Sequence, residues 1–307
     1  MRKKIPQILP KTIRFFQGES EYKIPPYFTS MFTADIYNGI MPYRFCSDES
    51  ELKINITGTK KDIELAYKLC ESLCDNVYRG SIEDLISKAI ENIVRQIVWE
   101  DKAYYEIIIG DDITCPYLHS FTSKRLFKFL NYYIQLVPKK DIQLHSKRFV
   151  AIKAKYVWSI TFPKSLGRSK AFKKIVKKLL KINSNSPNFA KNNIVETFEM
   201  PGYNFKAYHR LTNVIVNKIV KKWGWNRRDS SNEYSTDIYR VYKYISFKYT
   251  QALIREHIVY ELNKLLKKLV INSSITITGI KTSQDIIDIR RKVFSKEISL
   301  NDVFELF

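Results

Sequence analysis

The stretch SIEDLISKAIENIVRQIVWEDKAYYEIII, residues 81–109, contains both kinds of regular structure that the chain is expected to form. Ser81 followed by two acidic residues is a helix N-cap signature, because a serine hydroxyl accepts from free first-turn amides and acids favour the positive end of the helix dipole. Apolar residues then recur at helical spacing as far as Trp99. Aromatic and β-branched residues crowd Ala103–Ile109, which predicts a strand. The stretch therefore predicts a helix that leads into a sheet.

The same two patterns continue on both sides of this stretch. Further helices are predicted at 60–77, 169–182, 205–223, 283–294 and 299–306, and further strands at 54–57, 132–137, 149–160 and 275–277. Residues 234–270 lack glycine and proline and keep a helical period, although the charged Lys248 and Arg255 lie on the apolar seam and predict a break or a partner there. We expect an α+β fold, helix-dominated, with a mixed central sheet in the middle third and a long helix in the last third.

Composition along the chain predicts three regions. Residues 1–45, rich in proline and aromatic residues without a sustained period, are expected to form an extended N-terminal arm that docks elsewhere. Residues 46–183 are expected to form an α+β domain that includes a basic helix. Residues 194–307 are expected to form a helical domain around the long helix 234–270. The Asn, Ser and Pro-rich residues 184–193 are predicted to be the loop at the boundary.

Positive charge dominates the composition and is unevenly distributed. The 307 residues include 52 lysines and arginines against 31 acidic residues, a formal net charge of +21. Residues 142–195 contain 13 basic and no acidic side chains, whereas residues 46–112 contain 15 acidic and 8 basic ones, a local net charge of −7. An excess of one sign repels itself unless a polyanion relieves it. The asymmetry favours a polyanionic partner and also permits head-to-tail contact between copies of the chain.

The basic residues of the middle region are the candidate nucleic-acid contacts. Lysine and arginine neutralise phosphates, and tyrosines and phenylalanines can stack on unpaired bases. A lysine-rich helix face can also be a solvated surface and nothing more, but the acid-free context favours one that faces phosphate. Lysine lacks the planar fork that reads base edges, so contact with the backbone of the nucleic acid is expected. The candidates are Lys153 and Lys155, which are expected to share one strand face, and Arg168, Lys170, Lys173, Lys174, Lys177, Lys178 and Lys181.

A metal-dependent nuclease is the catalytic alternative. Asp35, Glu51 and Lys53 supply two carboxylates and a lysine, the residue types that hold Mg²⁺ and polarise a water molecule. A chain this rich in glutamate and lysine yields such sets by chance, so a non-catalytic function is preferred. The four histidines are scattered without ligand spacing, and the nine glycines never cluster into a phosphate-binding loop. No cofactor is therefore expected.

The cysteines and the hydropathy narrow the class of protein. Cys70 and Cys74 lie four residues apart on one helical face, where an unstrained disulfide seldom forms, and no second closely spaced pair completes a zinc site. Reduced thiols and no bound metal are expected. No stretch reaches the roughly 20 consecutive apolar residues that span a bilayer. No signal-peptide apolar run follows the basic N-terminus. A cytoplasmic or virion-associated protein without a membrane span is predicted.

Three segments of the chain resemble parts of tailed-phage portal proteins. They are the helix from Ser81 that runs into Lys102–Ile107, then Gln135–Pro138 with the turn Phe162–Ser169 and the helix after it, and finally the helix 234–270 with Gly279–Thr282 and Glu297–Ser299. The resemblance spans roughly residues 80–305. The chain is shorter than most portals and more basic than a smooth DNA channel needs, which also fits a portal-derived protein.

The resemblance implies a structural function. Portal proteins form rings at one capsid vertex, let double-stranded DNA pass, dock a packaging motor and carry no active site of their own. It implies a DNA-associated assembly protein that forms homo-oligomers, in a phage, a mobile element or a defence locus, with phage or mobile-element proteins as partners. DNA is favoured over RNA on this basis. The alternative is a basic nucleic-acid-binding effector, and the metal-dependent nuclease described above is one form of it. A third hypothesis is a binder of acidic proteins or of a membrane surface.

Overall fold

The computed structural model describes residues 10–13, 27–41, 52–74, 80–109, 116–139, 142–143, 146–192, 205–225 and 236–307, and only the backbone of Tyr27, 183–192 and 205–211. The helices are α1 (Tyr27–Asn38), α2 (Lys60–Glu71), α3 (Ile82–Glu100), α4 (Arg168–Asn192), α5 (Phe205–Val220), α6 (Asp237–Lys268), α7 (Ser283–Phe294) and α8 (Asp302–Glu305). The strands are β1 (Lys53–Gly58), β2 (Ala103–Ile108), β3 (Tyr117–Phe121), β4 (Leu126–Phe129), β5 (Tyr132–Leu136), β6 (Phe149–Lys153), β7 (Val157–Ile160) and β8 (Ser273–Thr278). The predicted α+β class and the long helix in the last third are confirmed.

The strands form three small antiparallel sheets. Their orders are β1-β8, β3-β2-β7 and β4-β5-β6. The single mixed sheet predicted from the sequence is therefore wrong for the described residues. Parallel neighbours need a crossover of about a dozen residues or more, whereas β4 and β5 are joined by a tight hairpin. β1 and β8 come together from opposite ends of the chain, since Ile54 pairs with Ile277.

The fold divides into two compact units, each built from three segments. The sheet unit draws on Met1–Glu21, Met41–Phe162 and Arg255–Ile280, and the helix unit on Tyr22–Ile40, Pro163–Ile254 and Lys281–Phe307. Each region predicted from the sequence, 46–183 and 194–307, is one continuous segment, whereas each unit combines three separate segments. The physical reason is the return of the chain late in the sequence, where β8 pairs with β1.

The helix and strand predicted at 81–109 are confirmed. The hydroxyl oxygen of Ser81 accepts a hydrogen bond from the amide of Asp84 at 3.2 Å, and α3 ends where Asp101 takes a left-handed backbone with φ of 68°. β2 follows at once and is almost wholly buried. The apolar side of α3 is buried along its length, at Leu85, Ile86, Ala89, Ile90, Ile93, Val94, Ile97 and Val98. This buried helix face and strand belong to the core of the sheet unit.

Residues 10–13 dock on the sheet unit through two buried polar side chains. The Glu106 carboxylate accepts hydrogen bonds from the backbone amide of Thr12 at 2.8 Å, from its hydroxyl at 2.6 Å and from the amide of Lys11 at 3.2 Å. Gln135 accepts from the amide of Ile13 at 3.0 Å and donates to its carbonyl at 2.7 Å. A buried carboxylate without such donors would be costly. Glu106 of β2 therefore holds residues 10–13 against the sheet unit.

Part of the predicted extended arm is a helix. In α1, the buried Phe28, Phe32 and Ile36 follow one another at intervals of four residues and so share one helix face. The prediction of an extended conformation is therefore wrong over Tyr27–Asn38. The prolines just before this helix suggested extended structure, although proline is well tolerated in the first turn of a helix.

Three further predictions changed in detail. The boundary loop predicted at 184–193 is wrong over 184–192, where α4 continues. Serine and asparagine are only weakly unfavourable in a helix. Nothing in the structure explains Pro187 inside this helix. The strand predicted over 149–160 is interrupted by a 3₁₀ turn at Ala154–Tyr156, since β6 pairs with β5 while β7 pairs with β2. α6 does not break at Lys248 or Arg255.

Two absences concern the described residues alone. No helix among them is long and apolar enough to cross a membrane. Cys70 and Cys74 are free thiols, and burial raises the pKa of Cys70 to about 12, which keeps it protonated at neutral pH. Cys46 and Cys115 lie outside the described residues.

Candidate nucleic-acid interface

Six lysines of α4 form one exposed face. All six, which we call the lysine stripe, are exposed: Lys170, Lys173, Lys174, Lys177, Lys178 and Lys181. At 100° per residue they fall within an arc of roughly 140°, and at 1.5 Å per residue they extend over about 16 Å of the helix axis. The stripe is thus a continuous cationic ridge.

The opposite face of α4 is buried among aromatic rings. Phe172, Ile175 and Leu179 are buried there. The Phe172 ring stacks on Phe32 of α1 with 6.1 Å between centroids, and it lies 5.8 Å from the ring of Trp223. Because one side of the helix is held in this way, the lysines are directed away from the core of the helix unit.

A turn after α5 completes this aromatic cluster. Trp223 and Trp225 are fully buried, and Gly224 between them has φ of 75°. A Cβ atom at Gly224 would come within 2.6 Å of the backbone nitrogen of Phe247 in α6, so a side chain has no room there. The Trp223 carbonyl also accepts from the Thr250 hydroxyl at 3.0 Å. The turn is therefore packed directly on α6.

α4 begins at a second tight turn. Gly167 and Arg168 have φ of 87° and 54°, and the amide of Arg168 donates to the carbonyl of Pro163 at 3.3 Å. A Cβ at Gly167 would lie 2.7 Å from the Cβ of Ala171. Arg168 is exposed at the N-terminal end of the stripe. It belongs to the same helix as the six lysines.

The structure does not place Lys153 and Lys155 on one strand face. Lys153 ends β6, while Lys155 lies in the following 3₁₀ turn, with its Nζ 4.8 Å from the centroid of the Tyr156 ring. Both are exposed and belong to the sheet unit, whereas α4 belongs to the helix unit. The nine candidate contacts are therefore divided between two compact units.

The nuclease residues are not brought together within one unit. Asp35 accepts a hydrogen bond from the Trp225 indole nitrogen at 2.7 Å in the helix unit. Lys53 begins β1 in the sheet unit, and Glu51 lies outside the described residues. No group of three or more His, Cys, Asp or Glu side chains suited to a metal ion is found in the described part of the chain. The nuclease alternative stays a prediction.

Lys243 of α6 is a buried cation that the sequence pattern does not reveal. It is 3% exposed, and its Nζ has no hydrogen-bond partner among the described residues. The ring of Tyr239 lies 5.7 Å away. Burial, with a contribution from the positive charge of Lys221, lowers the pKa of Lys243 to about 8.

Replacing Lys243 with methionine is expected to stabilise the protein. At pH 7 the folded chain holds a buried, charged amine without a hydrogen-bond partner among the described residues, and such burial costs about 1–3 kcal/mol for a neutral group and more for a charged one. Between the folded pKa of about 8 and the ordinary value of 10.5 the unfolded chain binds the proton and the folded chain does not, so wild-type stability should rise with pH across this window. Urea denaturation from neutral to alkaline pH should show the rise in the wild type and a smaller one in Lys243→Met.

The control for this variant is Lys222→Met, at an exposed position. It should leave the free energy of unfolding within about 0.5 kcal/mol of the wild type. A Lys243→Met protein that is less stable than the wild type at pH 7 would show that the amine is satisfied in solution.

In comparisons with known proteins, no family model, no curated protein and no solved structure matches this chain.

Proposed function

We propose that the chain is a non-catalytic, DNA-associated assembly protein that binds the phosphate backbone of duplex DNA with the lysine stripe. The observation that carries the proposal is the arrangement of α4, which has six exposed lysines on one side and a buried aromatic cluster on the other. A rigid helix carries these charges, so the side chains need little ordering of the backbone on binding.

The chemistry of the stripe favours phosphate over base edges. Duplex DNA carries one negative charge per roughly 1.7 Å of axis, and a lysine ammonium meets such charges without a fixed direction. The described residues of α4 and its start include no acidic side chain that would repel a phosphate. Among them Lys170, Lys174, Lys177 and Lys178 have no ion-pair partner in the described part of the chain.

Assembly is the second part of the proposal. The charge of residues 46–112 is −7, while residues 142–195 carry 13 positive charges and no negative ones. Opposite charges on separate parts of one chain support head-to-tail association, which closes into a ring or extends into a filament. The resemblance to portal proteins favours the ring.

Sedimentation of a short labelled duplex with the protein, at salt concentrations from about 50 to about 200 mM, tests both parts. If all six lysines contact phosphates, the logarithm of the binding constant should fall against the logarithm of salt concentration with a slope of about −5. The mass of the complex reports assembly in the same runs. A slope near zero would overturn the phosphate contact, and monomers at every concentration, with and without DNA, would overturn the assembly.

A further inference from the structure

One face of the sheet β4-β5-β6 presents aromatic rings to solvent. Phe129 pairs with Tyr132, which pairs with Lys153 on the third strand, and Leu136 pairs with Phe149. Phe127 lies two residues before Phe129. Because paired residues and alternate residues along a strand share a face, these side chains lie on the same side of the sheet. We call the four rings of Phe127, Phe129, Tyr132 and Phe149 the aromatic face.

The four rings of the aromatic face are largely exposed to solvent and are not packed into the core. Its rings are 45%, 61%, 41% and 60% exposed in that order, and none contacts another ring of the described residues. The other side of the same sheet is covered, since Gln135, Val150 and Ile152 are buried. Contiguous exposed apolar surface of this kind marks an interaction site.

The described charged side chains of the strands β4, β5 and β6 and of their flanks are all positive. In the described residues of 122–139 and 146–160 there is no acidic side chain. Lys153 lies on the aromatic face itself, in register with Tyr132. Five further exposed cations lie on the flanks of these strands: Lys124, Arg125, Lys147, Arg148 and Lys155.

We propose that the aromatic face is a second nucleic-acid site, which binds single strands by stacking their bases on the rings while Lys153 and the flanking cations pair with phosphates. Stacking on aromatic side chains tolerates every base, because each base has a π-face, and a sheet surface can present several rings to successive nucleotides. A duplex buries its base faces and offers none to the rings. This site therefore goes beyond the proposed function, which concerns duplex backbone.

Charge favours this ligand over a second copy of the chain on the same face. A symmetric contact would place Lys153 and its neighbours against the same cations of the other copy, and like charges in contact disfavour an interface. An anionic membrane surface shares the charge preference. The two ligands differ in the side chains that they require. A lipid surface binds any exposed apolar group, whereas base stacking requires a planar ring.

Fluorescence anisotropy with a labelled oligothymidine tests the proposal. The double variant Phe129→Thr, Phe149→Thr keeps β-forming residues at exposed positions, so the fold should persist. It is expected to bind oligothymidine at least about fivefold more weakly for each ring removed, because stacking on one aromatic ring contributes about 1–3 kcal/mol. The double variant Phe129→Tyr, Phe149→Tyr, which keeps both rings, should bind like the wild type.

The controls separate stacking from general apolarity and from the lysine stripe. Leu136→Thr removes an exposed apolar group without a ring and should leave oligothymidine affinity unchanged. The threonine variant should keep its affinity for duplex DNA, and in a variant of the lysine stripe the two threonine substitutions should still weaken oligothymidine binding by the same factor. Thus either site can fail alone.

Four results would overturn the single-strand site. They are unchanged oligothymidine affinity in the threonine variant, an equal loss in Leu136→Thr, ring-dependent binding to anionic vesicles with no binding to oligothymidine, and dissociation of an oligomer on loss of the rings. The third would assign the face to a membrane surface and the fourth to a copy of the chain.

Discussion

Replacing Lys170, Lys174, Lys177 and Lys181 together with glutamine is expected to weaken duplex binding on the order of a thousandfold at physiological salt. Each phosphate contact releases counterions, and its contribution at that salt concentration is somewhat below one order of magnitude, so four contacts account for about three orders. The slope of the logarithmic salt dependence should also fall, from about −5 to about −2. Both quantities come from one titration of labelled duplex at several salt concentrations.

The expected loss is specific to the position of the charges. A matched variant with glutamine at Lys218, Lys222, Lys267 and Lys292 removes the same net charge from exposed positions outside α4. It should bind duplex far more tightly than the stripe variant. Both should unfold at the same urea concentration as the wild type within error, because glutamine and lysine have similar helix propensity. Equal losses in the two variants would mean that net charge alone attracts DNA.

The lysine stripe could be predicted from the sequence because its cause is local. The helix period places residues three, four, seven and eleven positions apart on one face, and ammonium groups stay in solvent. The same holds for α3 and for its cap at Ser81. Nothing in the chain outside this segment is needed to predict either feature.

The aromatic face could not be predicted, because its cause is not local. Strands at 132–137 and 149–160 were predicted, yet which alternate side chains face solvent depends on what covers the other side of the sheet. Here the buried Gln135 binds Ile13, which lies 122 residues away. The burial of Lys243 depends likewise on packing between distant segments. Helix α1 is a different case, because the helical spacing of Phe28, Phe32 and Ile36 is a local pattern. The prolines before these residues favoured an extended segment over that pattern.

Phe32→Ala is expected to cost about 3–5 kcal/mol of the free energy of unfolding of the helix unit. Phe32 is fully buried, and its ring centroid lies 5.1 Å from that of Trp225, 5.6 Å from that of Trp223 and 6.1 Å from that of Phe172. The cavity left by the ring would open in the middle of the cluster that holds α4. A loss of this size is a large part of the roughly 5–15 kcal/mol that stabilises a typical domain.

Urea denaturation followed by tryptophan fluorescence measures this loss where it arises. Two of the four tryptophans, Trp223 and Trp225, are buried in the cluster itself, so their emission should change at lower urea in Phe32→Ala. The control Phe32→Leu keeps a branched apolar side chain in the cluster and should cost clearly less than Phe32→Ala, because it leaves a smaller cavity. A loss below about 1 kcal/mol in the alanine variant would contradict the packing seen around Phe32. If the cluster orients the lysine stripe, the duplex affinity of Phe32→Ala should fall as the helix unit unfolds. Stabilising solutes that refold the unit should restore this affinity. They should not restore it in the variant that lacks the stripe lysines.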